Sequence, residues 1–266
     1  VGSEKALVGT RDQGLICLGS EQIWRLIPSY IPAATDYPEK ILDIGCVNGN
    51  TACSVADDIF FLAPDGVRGL FRTQFDKLQT GESFPLSYML KDQYDNINWS
   101  QISKACAIYF DNKYIISLPT GVSTYNNECW VFYPALKAWV IYSGWEIARF
   151  AKLKVSGQEN LYGIDGVTGQ VYQLFYGTSD NGTAITYNEV SRAEDYGKPM
   201  QYKLGGEFKI RAKGGNGTLT VSANPDGVGW TQLGTMSLAL VSDVTFPTTF
   251  PMTFGNATET SGTFHL

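Results

Sequence analysis

Histidine is nearly missing from this chain. Among 266 residues only His265 carries an imidazole. One imidazole excludes a multi-histidine metal site and leaves a serine nucleophile without a plausible base. Charge is also scarce, at 17% of residues against ~25% in an average domain. The 26 acidic and 20 basic residues leave a net charge of −6, which argues against a basic nucleic-acid-binding face. No run approaches the ~18 apolar residues of a membrane helix, so no membrane partner is expected. The opening VGSEKALVGT has neither the basic n-region nor the apolar h-region of a secretory signal.

Apolar and turn-forming residues fill the gap. Hydrophobic residues reach 44%, and 28 glycines accompany 14 Phe, 15 Tyr and 6 Trp. That balance excludes a disordered chain and suits strands joined by turns. The five cysteines (Cys17, Cys46, Cys53, Cys106 and Cys129) are odd in number and show no CxxC spacing, so they read as buried reduced thiols.

No segment shows a sustained helical stripe, and apolar or β-branched runs instead alternate with Gly, Asp and Asn turns. The runs recur as a unit of inner strand, polar turn and outer strand. Its copies are GLICLGSEQIWRL (14–26), DDIFFLAPDGVRGL (57–70), NKYIISLP (112–119) with CWVFYPALKAWVIY (129–142), and NLYGIDGVTGQVYQL (160–174). Their turns are Gly19-Ser20, Pro64-Asp65-Gly66, Pro134-Ala135 and Asp165-Gly166. The spacing matches the ~40–50 residues of a four-stranded propeller blade.

Residues 1–176 are therefore expected to form about four consecutive β-propeller blades, with a meander or sandwich of similar hairpins as the alternative. Four blades are the lower limit of a closed ring. With no initial Met and a start inside the run-up to a strand, further blades are expected before Val1. Residues 177–199 read as a polar linker. Residues 200–266 read as a smaller β-sandwich-like domain with a hairpin turn at Gly214-Gly215-Asn216-Gly217. The fold class is all-β.

Candidate chemistry is thin. Paired carboxylates could serve a glycosidase, but Asp57, Asp58, Asp65, Asp111, Asp165 and Asp226 all sit in turn contexts, where Asp satisfies its own backbone. SANPDGVGWT (222–231) resembles a sialidase Asp-box only loosely and occurs once. The oxygen-rich loops DNGT (180–183) and NPDG (224–227) are the least poor calcium candidates. Trp130, Phe132, Tyr133, Trp139, Tyr142 and Trp145 could stack sugars, but period-two spacing reads more simply as packing. No catalytic, cofactor-binding or metal-binding residue is assigned, no cofactor is expected, and the chain is read as a non-enzyme.

One resemblance stands beside this reading. It is carried by Ile23-Trp24-Arg25-Leu26, Ile44-Gly45-Cys46, Ser54-Val55, Asp58-Ile59-Phe60-Phe61-Leu62, Asp65-Gly66-Val67, Asn112-Lys113-Tyr114, Leu118-Pro119, Trp139 and Gly169-Gln170-Val171-Tyr172-Gln173-Leu174. Over residues 14–175 the chain resembles the propeller-bearing structural proteins of tailed-bacteriophage virions, of the short-tailed-phage stabilisation or tail-hub type. The resemblance implies no catalytic residues. It implies a phage-tail component, a hub, adaptor ring or tail-tube part, that acts by assembly. Its partners would be other copies in a ring, set at six, together with portal, adaptor and other tail proteins. DNA would be transient cargo in an acidic lumen that does not grip it. The place of action would be the virion, and the host cytoplasm during assembly. The alternative is a propeller that binds or cleaves carbohydrate in host-receptor recognition.

Overall fold

The computed structural model describes residues 3–10, 14–26, 38–191, 207–213, 217–224, 229–238 and 259–265, without the side chains of 207–213, 238 and 259–265. Strand makes up 49% and helix 15%, so the protein is mostly β, in small antiparallel sheets. It divides into two compact units, Val1–Ile185 and Thr186–Leu266.

Among the described residues the first unit holds four sheets, each built from strands consecutive in the chain. The first contains β1 (Glu4–Thr10), β2 (Gly14–Gly19), β3 (Ile23–Leu26) and β4 (Glu39–Leu42). The second contains β5 (Cys53–Val55), β6 (Asp58–Ala63) and β7 (Gly66–Gly69). The third contains β8 (Cys106–Phe110), β9 (Lys113–Leu118), β10 (Glu128–Tyr133) and β11 (Ala138–Ser143). The fourth contains β12 (Ile147–Val155), β13 (Gln158–Asp165) and β14 (Val171–Gln173). All four repeat copies read from the sequence fall on these hairpins. The β8–β9 turn puts Asp111 and Asn112 at φ 45° and 55°, and the β12–β13 turn puts Ser156 and Gly157 at 51° and 85°. Two consecutive left-handed residues match the twist of the flanking strands.

The sheets pack face to face in chain order. Ile16, Leu18 and Ile23 of the first share a core with Ile59, Phe61 and Ala63 of the second. The opposite face of β6, through Phe60 and Leu62, packs with Tyr114, Ile116 and Trp130 of the third. The other face of the third, through Ile115, Cys129 and Val131, packs with Ile147 and Leu161 of the fourth. Alternate residues of one strand thus enter different cores, so β6 and β9 are apolar at consecutive positions. The first strands also run beside one another: β1 approaches β5, β5 approaches β8, and β8 approaches β12. The tight Ile44-Gly45-Cys46 connector allows only glycine, because a Cβ at Gly45 would lie 2.0 Å from the Ser20 carbonyl oxygen.

Among the described residues the second and fourth sheets have three strands, not the four of the expected blade. After β7 the chain turns into α1 (Leu70–Thr80), then α2 (Lys91–Asp95) and a 3-10 turn over Trp99–Lys104. Phe71, Phe75 and Leu78 have helical spacing, so the stripe was there to be read, and Gly81 at φ 77° stops the helix. The stripe is short: Phe71 packs against the core of the first two sheets, while Phe75 and Leu78 are exposed. The edge of β7 is covered without a fourth strand: the Leu86 amide donates to the Val67 carbonyl at 2.7 Å.

In the second unit β15 (Glu207–Lys213) pairs with β18 (Glu259–His265), and β16 (Gly217–Ala223) pairs with β17 (Thr231–Leu238). Val221 and Met236 form a small core. Among the described residues β15 and β16 belong to different sheets. The hairpin turn predicted at Gly214-Gly215-Asn216-Gly217 falls between these two strands. Gly214, Gly215 and Asn216 lie outside the described residues.

Candidate functional site

Polar side chains buried at the sheet joints are the best-organised chemistry in the first unit. Asn48 sends its amide to the carbonyls of Ile102 at 2.9 Å, Ser103 at 3.1 Å and Ala105 at 2.9 Å, while its oxygen accepts from the Asn50 amide at 3.0 Å. It thereby ties the connector before the second sheet to the start of the third. Asn126 bridges the carbonyls of Lys104 and Ile147, both at 2.9 Å, and the Ser117 hydroxyl donates to Ile147 at 2.8 Å. These groups close the joint between third and fourth sheets. Each satisfies a buried carbonyl far away in sequence, which fixes sheet against sheet.

The candidate carboxylates are engaged in local geometry. Asp58 accepts from the amides of Ile59 at 2.7 Å and Phe71 at 2.9 Å, so it caps α1 from across the sheet. Burial nonetheless pushes its carboxyl above the usual range, against the pull of those amides. Asp65 holds the buried Arg68 through two bonds of 2.9 and 2.5 Å, and Arg68 reaches the Ser83 hydroxyl at 2.9 Å. Asp165 accepts from Thr168 at 2.7 Å and Val167 at 2.8 Å, and the Thr168 amide foremost holds its pKa below the usual value. Asp111 pairs with Lys113. Asp57 occupies the β5–β6 turn. Asp226 and the core of the NPDG and Asp-box candidates lie outside the described residues, as does the side chain of His265.

In the DNGT segment Asp180 and Thr183 exchange two hydrogen bonds of 2.8 Å across Asn181 and Gly182, both left-handed. That is hairpin-turn chemistry. Among the described residues no three His, Cys, Asp or Glu side chains gather as a metal site, and no helix is long and apolar enough to cross a membrane. All five cysteines are free. Burial pushes Cys53 and Cys129 up to about 12 and Cys46 and Cys106 up to about 11, so these four stay protonated at neutral pH.

The aromatic cluster splits between two faces. Trp130 and Phe132 are buried, with Trp139 against them at ring separations of 6.5 and 4.8 Å. Tyr142, Trp145 and Phe175 form a second group at 4.7 to 5.8 Å. Beside that second group lies a groove of about 400 Å³ lined by Asp111, Glu159, Asn160, Gln173, Phe175 and Tyr176. Gln173 donates to Asn160 at 3.3 Å, Lys113 sits 5.6 Å from the Phe175 ring centroid, and Tyr176 is 74% exposed. Another groove, of about 430 Å³, runs between α1 and residues 82–89. Sequence reasoning named neither groove: the first joins segments far apart in the chain, and the second is completed by Phe132 and Lys137 from another sheet.

The first strands of the four sheets differ in charge. β1 carries Glu4 and Lys5, β5 and β8 carry no charge, and β12 carries Arg149, Lys152 and Lys154.

Together these features define a mostly-β protein whose ordered polar groups serve joints between sheets. Comparison with protein-family models returns no match, and no curated protein matches the chain.

Proposed function

We propose that the chain is a non-enzymatic structural protein of a tailed-bacteriophage virion, a hub, adaptor-ring or tail-tube component that acts by assembly. The observation that carries this reading is the repeated joint: four chain-consecutive sheets packed face to face with their first strands side by side. That is how propeller blades pack, and the sequence resemblance spans the same residues. On this reading the four sheets are blades and the second unit is a trailing sandwich. The partners are copies of the chain in a ring, with portal and other tail proteins around it, and the protein resides in the virion. DNA passing such a ring meets the basic residues of β12, so the conduit is not uniformly acidic. An antibody against the chain should label the tails of phage particles in negative stain. Label confined to the host-cell fraction overturns the reading.

A carbohydrate-binding reading draws on one observation. The groove beside Phe175 and Tyr176 sets exposed rings next to the amides of Asn160 and Gln173 and the carboxylates of Asp111 and Glu159. Rings that stack on sugar faces beside amides that read hydroxyls suit a neutral oligosaccharide. A glycan array read with wild type and Tyr176→Ala tests it: binding lost in the variant supports it, and an array without binders ends it.

A further inference from the structure

The second strand of every sheet in the first unit is apolar at consecutive positions, including the two sheets at the ends of the stack. In β6 and β9 each alternate set of side chains has its own core. In β2 only Ile16 and Leu18 do, and Leu15 and Cys17 face the other way. The register sets Leu7, Cys17 and Trp24 side by side on that outer face. Leu7 is 56% exposed, and Cys17 and Trp24 are half-buried. In β13 Leu161 faces the third sheet, so Tyr162 and Ile164 face outward, with Val171 opposite Ile164. Val171 is 63% exposed, and Leu153 of the same face is 52% exposed. A strand apolar on both faces is the pattern of two-sided burial, yet among the described residues no core cluster covers either outer face.

We infer that these two faces dock copies of this chain head to tail, the outer face of the fourth sheet against the outer face of the first sheet of the next copy. The proposal rests on the assembly reading and names the surface that performs it. The occupant follows from the joints inside the chain. Each of the three mates the later face of one sheet with the earlier face of the next. The two faces left over are one earlier face and one later face, which are the two halves of a fourth joint of the same kind. Two first-sheet faces brought together would repeat no joint that the protein makes. The contact is therefore heterologous, and it closes into a ring when the rotation per copy allows.

Sedimentation velocity of the full 266-residue chain tests this with Leu7→Lys on the first sheet and Val171→Lys on the fourth. Both residues are largely exposed, and unchanged circular dichroism and melting temperature establish that the variants fold. Wild type should associate, each variant alone should be monomeric, and an equal mixture should form a dimer, because each variant keeps one intact face. Cys17 should react faster with iodoacetamide in monomeric Val171→Lys than in associated wild type. If wild type associates and both variants associate equally well, these faces are not the interface, while assembly itself stands. If the mixture stays monomeric, the contact is not head to tail. A monomeric wild type overturns the docking, and the virion reading is then judged separately by antibody labelling of tails.

Discussion

The hydroxyl of Tyr114 in the third sheet donates a 2.8 Å hydrogen bond to the backbone carbonyl of Thr51 at the entry to the second. Tyr114 is fully buried, and its ring meets Phe60 edge-on at 5.6 Å. One side chain therefore contributes both apolar packing and the polar closure of a sheet joint. Tyr114→Phe keeps the packing and strands the Thr51 carbonyl. Loss of about 1–3 kcal/mol is expected for such an orphaned group. Chemical denaturation should show a lower midpoint with unchanged slope, and an unchanged midpoint would mean that water replaces the hydroxyl.

Asp58 holds the N-terminus of α1, for which Gly69 offers no side-chain cap. Asp58→Ala should cost about 1 kcal/mol, seen as faster hydrogen exchange over residues 70–80 than in wild type. Gly69→Ala should act in the same direction, because its Cβ would sit 2.5 Å from the Asp58 carboxylate. Exchange unchanged in both variants would show that α1 is held by packing alone.

The turn after β13 predicts an acid dependence. The Thr168 and Val167 amides lower the pKa of Asp165 relative to the unfolded chain, so the folded state favours the ionised form. The contribution is present above the ordinary carboxylate value and is lost as pH falls through the lowered one. Thermal melts should therefore show a smaller loss below about pH 4 in Asp165→Asn than in wild type, given the unperturbed Asp value of ~3.9. Identical acid profiles would exclude this turn as a source.

Native thiol reactivity should be uneven. Burial holds Cys46, Cys53, Cys106 and Cys129 at about 11 to 12, so they should alkylate only on unfolding. Cys17 is half-buried, with a smaller upward shift from burial and from Glu4. Mass spectrometry after iodoacetamide treatment of the monomeric Val171→Lys variant should find Cys17 modified first. Early modification of Cys106 or Cys129 would contradict the buried joint between third and fourth sheets.

The hairpins were legible because their signals are local. Runs such as Asp58–Ala63 and Lys113–Leu118 are apolar on both faces, and their turns carry Gly, Asp or Asn where the backbone needs them. The first strands were not singled out. β12 interleaves Arg149, Lys152 and Lys154 with apolar residues, and β5 is three residues long. Helix α1 escaped because its short apolar stripe follows directly on a strand and leaves Phe75 and Leu78 exposed. Asn48 and Asn126 carry no signal in the sequence, since their partners lie as far as 57 positions away.

Electron micrographs of the purified, associated protein, averaged in two dimensions, test the central claim most directly. The account predicts closed rings in which sheets of successive copies radiate from a common axis. Particles the size of a single chain at every concentration, or aggregates without a repeating unit, would contradict it.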